Sequence, residues 1–363
     1  MKIAFYGSSL LSSYWNGAAT YYRGILKALA ALGYDITFYE PDAFERQEHR
    51  DIEAPDWACV VVYPATPEGV QDVAARAAAA DIVVKASGVG YADDLLLDGV
   101  MAEAAPHALR VFWDVDAPAT LAEVRGAPDH RLRRNLPMLD MVLTYGGGSA
   151  VVEAYRALGA ATCVPIYNAL DPDTHFPVAP QDRFAAALSF LGNRLPDREA
   201  RVEEFFLIPA ASLPKQLFLL GGSGWDQRAL PGNVTHLGHV GTTDHNAFNS
   251  SPMAVLNISR DSMASTGFSP ATRVFEAAGA GACLITDHWE GIDSFLAPGS
   301  EVLVARDGAE VAEILAGLTP ERSREIGAAA QARVLSDHTY VDRAREAHAC
   351  FARALQARGV AAE

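Results

Sequence analysis

The chain has 363 residues, half hydrophobic and a fifth charged, which is more than one core holds, since single cores stop growing near ~250–300 residues. A formal net charge of −16 disfavours general nucleic-acid binding and docking on an anionic membrane, and the basic run His130–Arg134 reads as a solvated helix face. No run approaches the ~20 apolar residues of a membrane span. The sequence starts directly on a strand pattern, Lys2–Tyr6, without a basic-then-apolar leader. The 4 cysteines are far apart, show no CxxC spacing, and mostly lie in apolar contexts, so a reducing, cytoplasmic setting is expected.

Short β-branched or aromatic runs alternate with Ala/Leu-rich stretches from the N-terminus onward. The runs are Ile3–Tyr6, Ile36–Tyr39, Ala58–Tyr63, Ile82–Lys85, Leu109–Trp113, Met141–Thr144 and Thr162–Ile166. Helical patterns at 18–32, 67–80, 92–104, 118–125 and 149–158 separate them. Continuous apolar strands interleaved with helices predict a parallel sheet covered on both faces, with ligands at the carboxyl ends of its strands. The first such end, Gly7–Gly17, lacks a GxGxxG fingerprint, and only Glu40 closes the second strand, so a dinucleotide site is not indicated. With Trp15, Asn16, Gly17 and then Tyr21, it suits a sugar or polar acceptor, or is a plain surface loop. After Leu109–Trp113 come Asp114 and Asp116. Either could take a proton from an acceptor hydroxyl, and Asp116 could equally cap the helix that contains Pro118.

Tyr167–Pro180, rich in Pro and Asp, breaks the rhythm and reads as a linker. A second series follows: Leu188–Leu191, Gln216–Leu220, Val234–Leu237, Ala254–Ile258, Ala282–Thr286 and Glu301–Val304. Its strand ends carry Asn193 and Arg194, Gly222 and Trp225, Gly238 to Val240, and Arg260. Arg198 and Arg201 sit on the helix after the first of them. Together these ends favour an anionic nucleotide.

The stretch Thr266–Asp287 concentrates the chemistry. Ser269 is a candidate N-cap and Pro270 a candidate first helical residue, and the helix is expected to end at Gly279–Gly281. An open helix start attracts an anion, but its dipole contributes only about 0.3–1 kcal/mol, so a diphosphate needs Arg273 as well. Glu276, three residues on and on the same helix face, would be repelled by phosphate and suits the paired hydroxyls of a ribose. The alternative is an ordinary Arg273–Glu276 surface pair. The last segment, Tyr340–Arg358, is amphipathic, with Ala347, Phe351 and Leu355 on one stripe.

The run Arg273–Asp287 resembles a motif of GT-B glycosyltransferases of the CgeB-like, spore-maturation-type group. So do Ser189–Asn193, Leu237–Val240, Leu256–Arg260, Pro298–Val304 and His338–Tyr340. The resemblance implies two Rossmann-like doubly wound domains facing a cleft. Residues 1–170 would bind the acceptor, 171–340 the nucleotide-sugar donor, and a C-terminal helix at 341–363 would pack back on the first domain. It also implies ribose binding by Glu276, and diphosphate binding by Arg273 with the Ser269–Arg273 amides, Thr272 included. Gly238, His239 and Val240 would meet the base. Related retaining enzymes carry a Glu eight residues before the ribose carboxylate, where this chain has Phe268. With arginine and backbone amides on the phosphates, no metal and no cofactor are expected, and the donor lobe has no Asp-x-Asp.

The expected activity is transfer of a sugar from a nucleotide diphosphate sugar, UDP-linked, to a glycan, small molecule or protein. Arg273 would stabilise the leaving group, and Asp116 or Asp114 would be the base. The alternatives are a nucleotide-sugar epimerase of the same fold and a non-catalytic nucleotide- or sugar-binding protein.

Overall fold

The computed structural model describes residues 1–14 and 16–359. The chain divides into two compact units, one made of Met1–Tyr167 with the segment from Tyr340 onward, the other of Asn168–Thr339. The first unit contains β1 (Lys2–Tyr6), β2 (Asp35–Asp42), β3 (Cys59–Pro64), β4 (Ile82–Ala86), β5 (Leu109–Asp114), β6 (Met141–Thr144) and β7 (Cys163–Pro165). They form one parallel sheet in the order β3-β2-β1-β4-β5-β6-β7. The second unit contains β8 (Leu188–Leu191), β9 (Phe218–Gly221), β10 (Val234–Gly238), β11 (Ala254–Asn257), β12 (Leu284–Asp287) and β13 (Leu303–Ala305). Its parallel sheet runs β10-β9-β8-β11-β12-β13.

All thirteen predicted strand runs become strands, because helices bury both sheet faces and the inner strands can be apolar throughout. In each unit the strand order reverses once, between β1 and β4 and between β8 and β11. The chain leaves the sheet in opposite directions at such a point, which opens a crevice at the carboxyl ends. The loops after β1, β4, β8 and β11 therefore frame the two places where ligands belong.

The last helix, Tyr340–Ala357, belongs to the first unit and packs on the helix Ala19–Ala31. Ala344, Ala347, Phe351 and Leu355 are buried, and the Phe351 ring alone represents about 1.5–3 kcal/mol of apolar burial. Gly24 permits the close approach: a Cβ there would lie 2.1 Å from the Tyr340 ring. Tyr34 and His348 are joined by a 2.8 Å hydrogen bond, and Arg358 donates to Ala108 O at 2.8 Å and pairs with Asp140. The short helix Arg131–Asn135 answers to the basic run read as a helix face, whereas Asp261–Thr266 has no counterpart in the sequence reading. With 6 residues, the latter is too short to show a helical period.

Candidate functional site

In the second unit the loops after β8, β9 and β10 are stitched backbone to backbone. Gly192 N donates to Gly221 O (2.9 Å), Arg194 N to Ser223 O (2.9 Å) and Gly222 N to Gly238 O (2.7 Å). Gly222 has φ +116°, and a Cβ on it would lie 2.2 Å from Gly192 O, so only glycine fits. Asn193 Oδ1 accepts from Ser223 N (2.9 Å) and closes the same rim. Trp225, expected on the nucleotide, is instead buried in the core, its Nε1 donating to Gly192 O at 2.8 Å. Its aromatic surface is used in packing, and its role is to hold the rim.

The helix of the Thr266–Asp287 stretch spans Thr272–Gly279, with Ala271 at the N-cap position. Ser269 is therefore not the cap, and Pro270 precedes the helix. Gly267 (φ +72°) and Phe268 (φ +45°) turn the chain just before it, and Phe268 N donates to Glu290 O at 2.6 Å. Asn168 Nδ2 holds Pro270 O at 2.8 Å, while the buried Ser269 Oγ donates back to Gly267 O at 2.9 Å. These tertiary ties delay the helix by two residues. Thr272, half-buried, is its first residue, so the amides of Thr272 and Arg273 are at its open end.

The rim arginines fall into two groups. Arg194 is held bidentately by Glu199 (3.0 and 2.8 Å), Arg201 by Asp287 (2.5 Å) and Asp261 (3.2 Å), and Arg260 by Asp197 (2.5 Å). Arg198 and Arg273 have no carboxylate partner among the described residues. Arg198 Nε is buried without a hydrogen-bond partner, and its guanidinium lies over Gly192, where a Cβ would come 3.0 Å from Nη1. Arg273 sits over the Phe190 ring, 5.5 Å from its centroid. Burial, and after it nearby Arg198, pull the Arg273 pKa down to about 10, with Glu276 partly offsetting both. Two guanidiniums that repel each other without a protein counter-ion beside a glycine strand end form a site for a multiply charged anion.

Glu276 makes no ion pair with Arg273 and accepts no hydrogen bond from the described residues, which removes the reading of the two as a surface pair. It is half-buried one turn into the helix and lies within electrostatic reach of Arg273 and His245. Burial lowers the His245 pKa, and the His245 ring bonds Val240 O at 3.2 Å. The Val240 side chain is in a small apolar cluster with Phe184, Leu219 and Phe248, so this residue offers a ligand only backbone. His239 is exposed, and Gly238 turns at φ +69°. Sequence reasoning named Arg194 and Arg260 for the anion and did not separate Arg198 from them. The missing signal is the position of the carboxylates, which pairs three arginines off and leaves two open.

In the first unit the Gly7–Gly17 loop is tied inward. Buried Glu40 accepts from Ser9 Oγ (3.1 Å), Leu10 N (2.5 Å), Leu11 N (3.3 Å) and Gln47 Nε2 (2.7 Å). A carboxylate thus already occupies the amides that a phosphate would need there. Asn16 donates to Ser9 O and Ser12 O and accepts from Ser8 Oγ, so its amide closes the loop instead of facing outward. Tyr21 is buried, donating to Ile166 O (2.8 Å) and accepting from Trp113 Nε1 (2.9 Å), which makes it a core residue and not an acceptor contact. Gly17 is exposed with open space around it, and Trp15 lies outside the described residues.

Asp114 is fully buried. Its Oδ1 accepts from Ser87 Oγ (2.7 Å), Thr120 Oγ1 (2.9 Å) and Asp116 N (3.1 Å), and its Oδ2 from the Tyr155 hydroxyl. Burial still pushes its carboxyl above the ordinary range. With every face engaged it holds the strand end together and is not placed to meet an acceptor. Tyr155→Phe should cost about 1.5–3 kcal/mol at pH 7, the value of a hydrogen bond to a charged group. That bond favours the ionised carboxylate. The loss should therefore shrink at acid pH, as Asp114 takes up a proton, and urea unfolding at pH 7 and pH 5 would show it. Asp116 occupies the N-cap position of the helix Ala117–Gly126 but makes no side-chain capping bond, and it lines a cavity of this unit.

Two doubly wound parallel sheets on successive parts of one chain, with the final helix returned to the first, constitute the GT-B fold. Residues 198–349 match a family model described as Glycosyl transferase-like. Among solved structures, the chain is similar to the sucrose-phosphate synthase of Thermosynechococcus elongatus, at TM-score 0.70 and 16% identity, covering 98% of this chain and 100% of that one. It is similar to Anabaena HepE in complex with UDP and glucose, at TM-score 0.67 and 15% identity, over 97% of this chain and 100% of that one. It is also similar to AviGT4, a glycosyltransferase involved in avilamycin A biosynthesis, at TM-score 0.61 and 19% identity, over 98% of each chain. No curated protein sequence matches the chain. No helix among the described residues is long and apolar enough to cross a membrane.

Proposed function

We propose that the protein is a glycosyltransferase that moves a sugar from a UDP-linked donor to an acceptor hydroxyl. One observation carries the reading: Arg198 and Arg273 are open toward an anion beside the helix start, and unpaired Glu276 lies one turn further on. That order matches a diphosphate followed by a ribose. The match to the Glycosyl transferase-like family model and the fold shared with HepE, whose structure holds UDP, support it. Within our proposal the protein belongs to the CgeB-like group, whose motifs its sequence resembles, and its 4 free cysteines fit the reducing cytoplasm.

In the reaction, the acceptor oxygen forms a bond to the sugar C1 while the bond from C1 to the β-phosphate oxygen breaks. The electron pair leaves with UDP, and the acceptor hydroxyl proton passes to Asp116. Arg273, Arg198 and the Thr272–Arg273 amides stabilise the charge that develops on the leaving oxygen, the term that usually dominates such catalysis. Two guanidiniums supply the charge a divalent ion would otherwise provide, so we propose that turnover is metal-independent. Activity should persist in excess EDTA, and its abolition there would overturn this point. Thermal shift against UDP, TDP, GDP and ADP tests the donor. At 100 times its dissociation constant a ligand stabilises by about 2.7 kcal/mol, and UDP should give the largest shift. Free UDP should accumulate only when an acceptor is supplied, whereas an isomerised donor would indicate an epimerase.

A further inference from the structure

The first unit holds a cavity of about 260 Å³ at the carboxyl ends of β4 and β5, next to the point where its strand order reverses. That is just under the ~300–1,000 Å³ of pockets for drug-sized ligands, so it suits a group about the size of one sugar ring. Its walls carry four carboxylates, on Asp93, Asp94, Asp116 and Glu123, against one ammonium, on Lys85. His130 also lines it, and its Nδ1 accepts from Leu132 N at 3.2 Å, so that nitrogen is engaged in capping its own helix. Leu97, Phe112 and Val89 supply an apolar surface for the C–H face of a ring.

Lys85 gives a second, separate indication of a ligand. Its side chain is only 3% exposed, and its Nζ lies 2.8 Å from Asp93 Oδ1 and donates to Ala86 O at 2.6 Å. An ammonium has three N–H groups, so one remains unfilled on a buried side chain that lines the cavity. A hydroxyl oxygen would complete it. Asp94 and Glu123 are exposed and make no ion pair or side-chain hydrogen bond with the described residues, so nothing in this unit neutralises them.

Resting on the glycosyltransferase reading, we infer that this pocket receives the acceptor and that the acceptor is a polyol ring bearing a protonated amine, an amino sugar or aminocyclitol. Lys85 would donate to a ring hydroxyl, Asp94 and Glu123 would face the ammonium, and Asp116 would take the proton of the attacking hydroxyl. A neutral ring would leave the excess negative charge uncompensated, and an anionic one would be repelled.

Calorimetric binding of matched probes to the full chain, with and without UDP, tests this: glucosamine against glucose, and 2-deoxystreptamine against myo-inositol. Each amine should bind at least tenfold more tightly than its neutral partner, and added salt should erode the difference. In Asp94→Asn/Glu123→Gln, at two exposed positions where the fold should tolerate the change, most of that preference should vanish. The inference is overturned if neither amine binds, if the amines bind no better than their neutral partners, or if the preference survives in the double variant. Failure of UDP to bind would instead remove the donor assignment, while the probe comparison would still decide the nature of the pocket.

Discussion

Replacing Arg273 with alanine is expected to lower kcat by about 10²–10³-fold, the usual cost of deleting one group that stabilises developing negative charge. UDP affinity should fall as well, by about 10- to 150-fold, which corresponds to the ~1.5–3 kcal/mol of a hydrogen bond to a charged group. The folded protein should not weaken in parallel, because the guanidinium has no protein counter-ion and is held near Arg198, a like charge. Removing it relieves that repulsion. Urea unfolding of the variant separates the outcomes: unchanged or raised stability with lost turnover supports an anion site, whereas a large loss of stability with normal UDP binding would mark a structural arginine. Burial also brings the Arg273 pKa down to about 10, well below the ordinary arginine range, so UDP affinity should already decline as pH approaches 10.

Glu276→Ala should weaken UDP binding about 10- to 150-fold by removing the acceptor for the ribose hydroxyls. The decisive comparison uses 2′,3′-dideoxy-UDP. The native protein should bind it about as poorly as the variant binds UDP, and the variant should not distinguish the two ligands. Such a cycle isolates the pair, because each change removes the same interaction from a different side. Equal affinity of the native protein for both ligands would place the ribose elsewhere.

The fold was readable because a parallel sheet covered on both faces takes strands that are mostly apolar rather than alternating, and the runs from Ile3–Tyr6 to Glu301–Val304 have that character. What a residue faces is not local information. Trp225 and Tyr21 look like ligand contacts beside strand ends, yet Tyr21 bonds a carbonyl 145 residues away and Trp225 one 33 residues away. The start of the Thr272 helix shifted for the same reason, since the side chain of Asn168 fixes Pro270 from 102 residues away. Among the arginines, Arg194 and Arg198 are equivalent in sequence and opposite in circumstance: Glu199 neutralises one, and nothing described neutralises the other. Arg273 and Glu276 could be singled out because helical spacing alone puts them on one face.

Because the closing helix Tyr340–Ala357 packs with the first unit, the second unit is an uninterrupted insertion in a discontinuous one. During synthesis, Asn168–Thr339 is made before the segment that covers Ala19–Ala31 exists. The later half can then mature by itself, while the earlier half waits with an apolar flank exposed. Truncation before Tyr340 should therefore produce aggregation that begins in the N-terminal part of the molecule, with Asn168–Thr339 left folded.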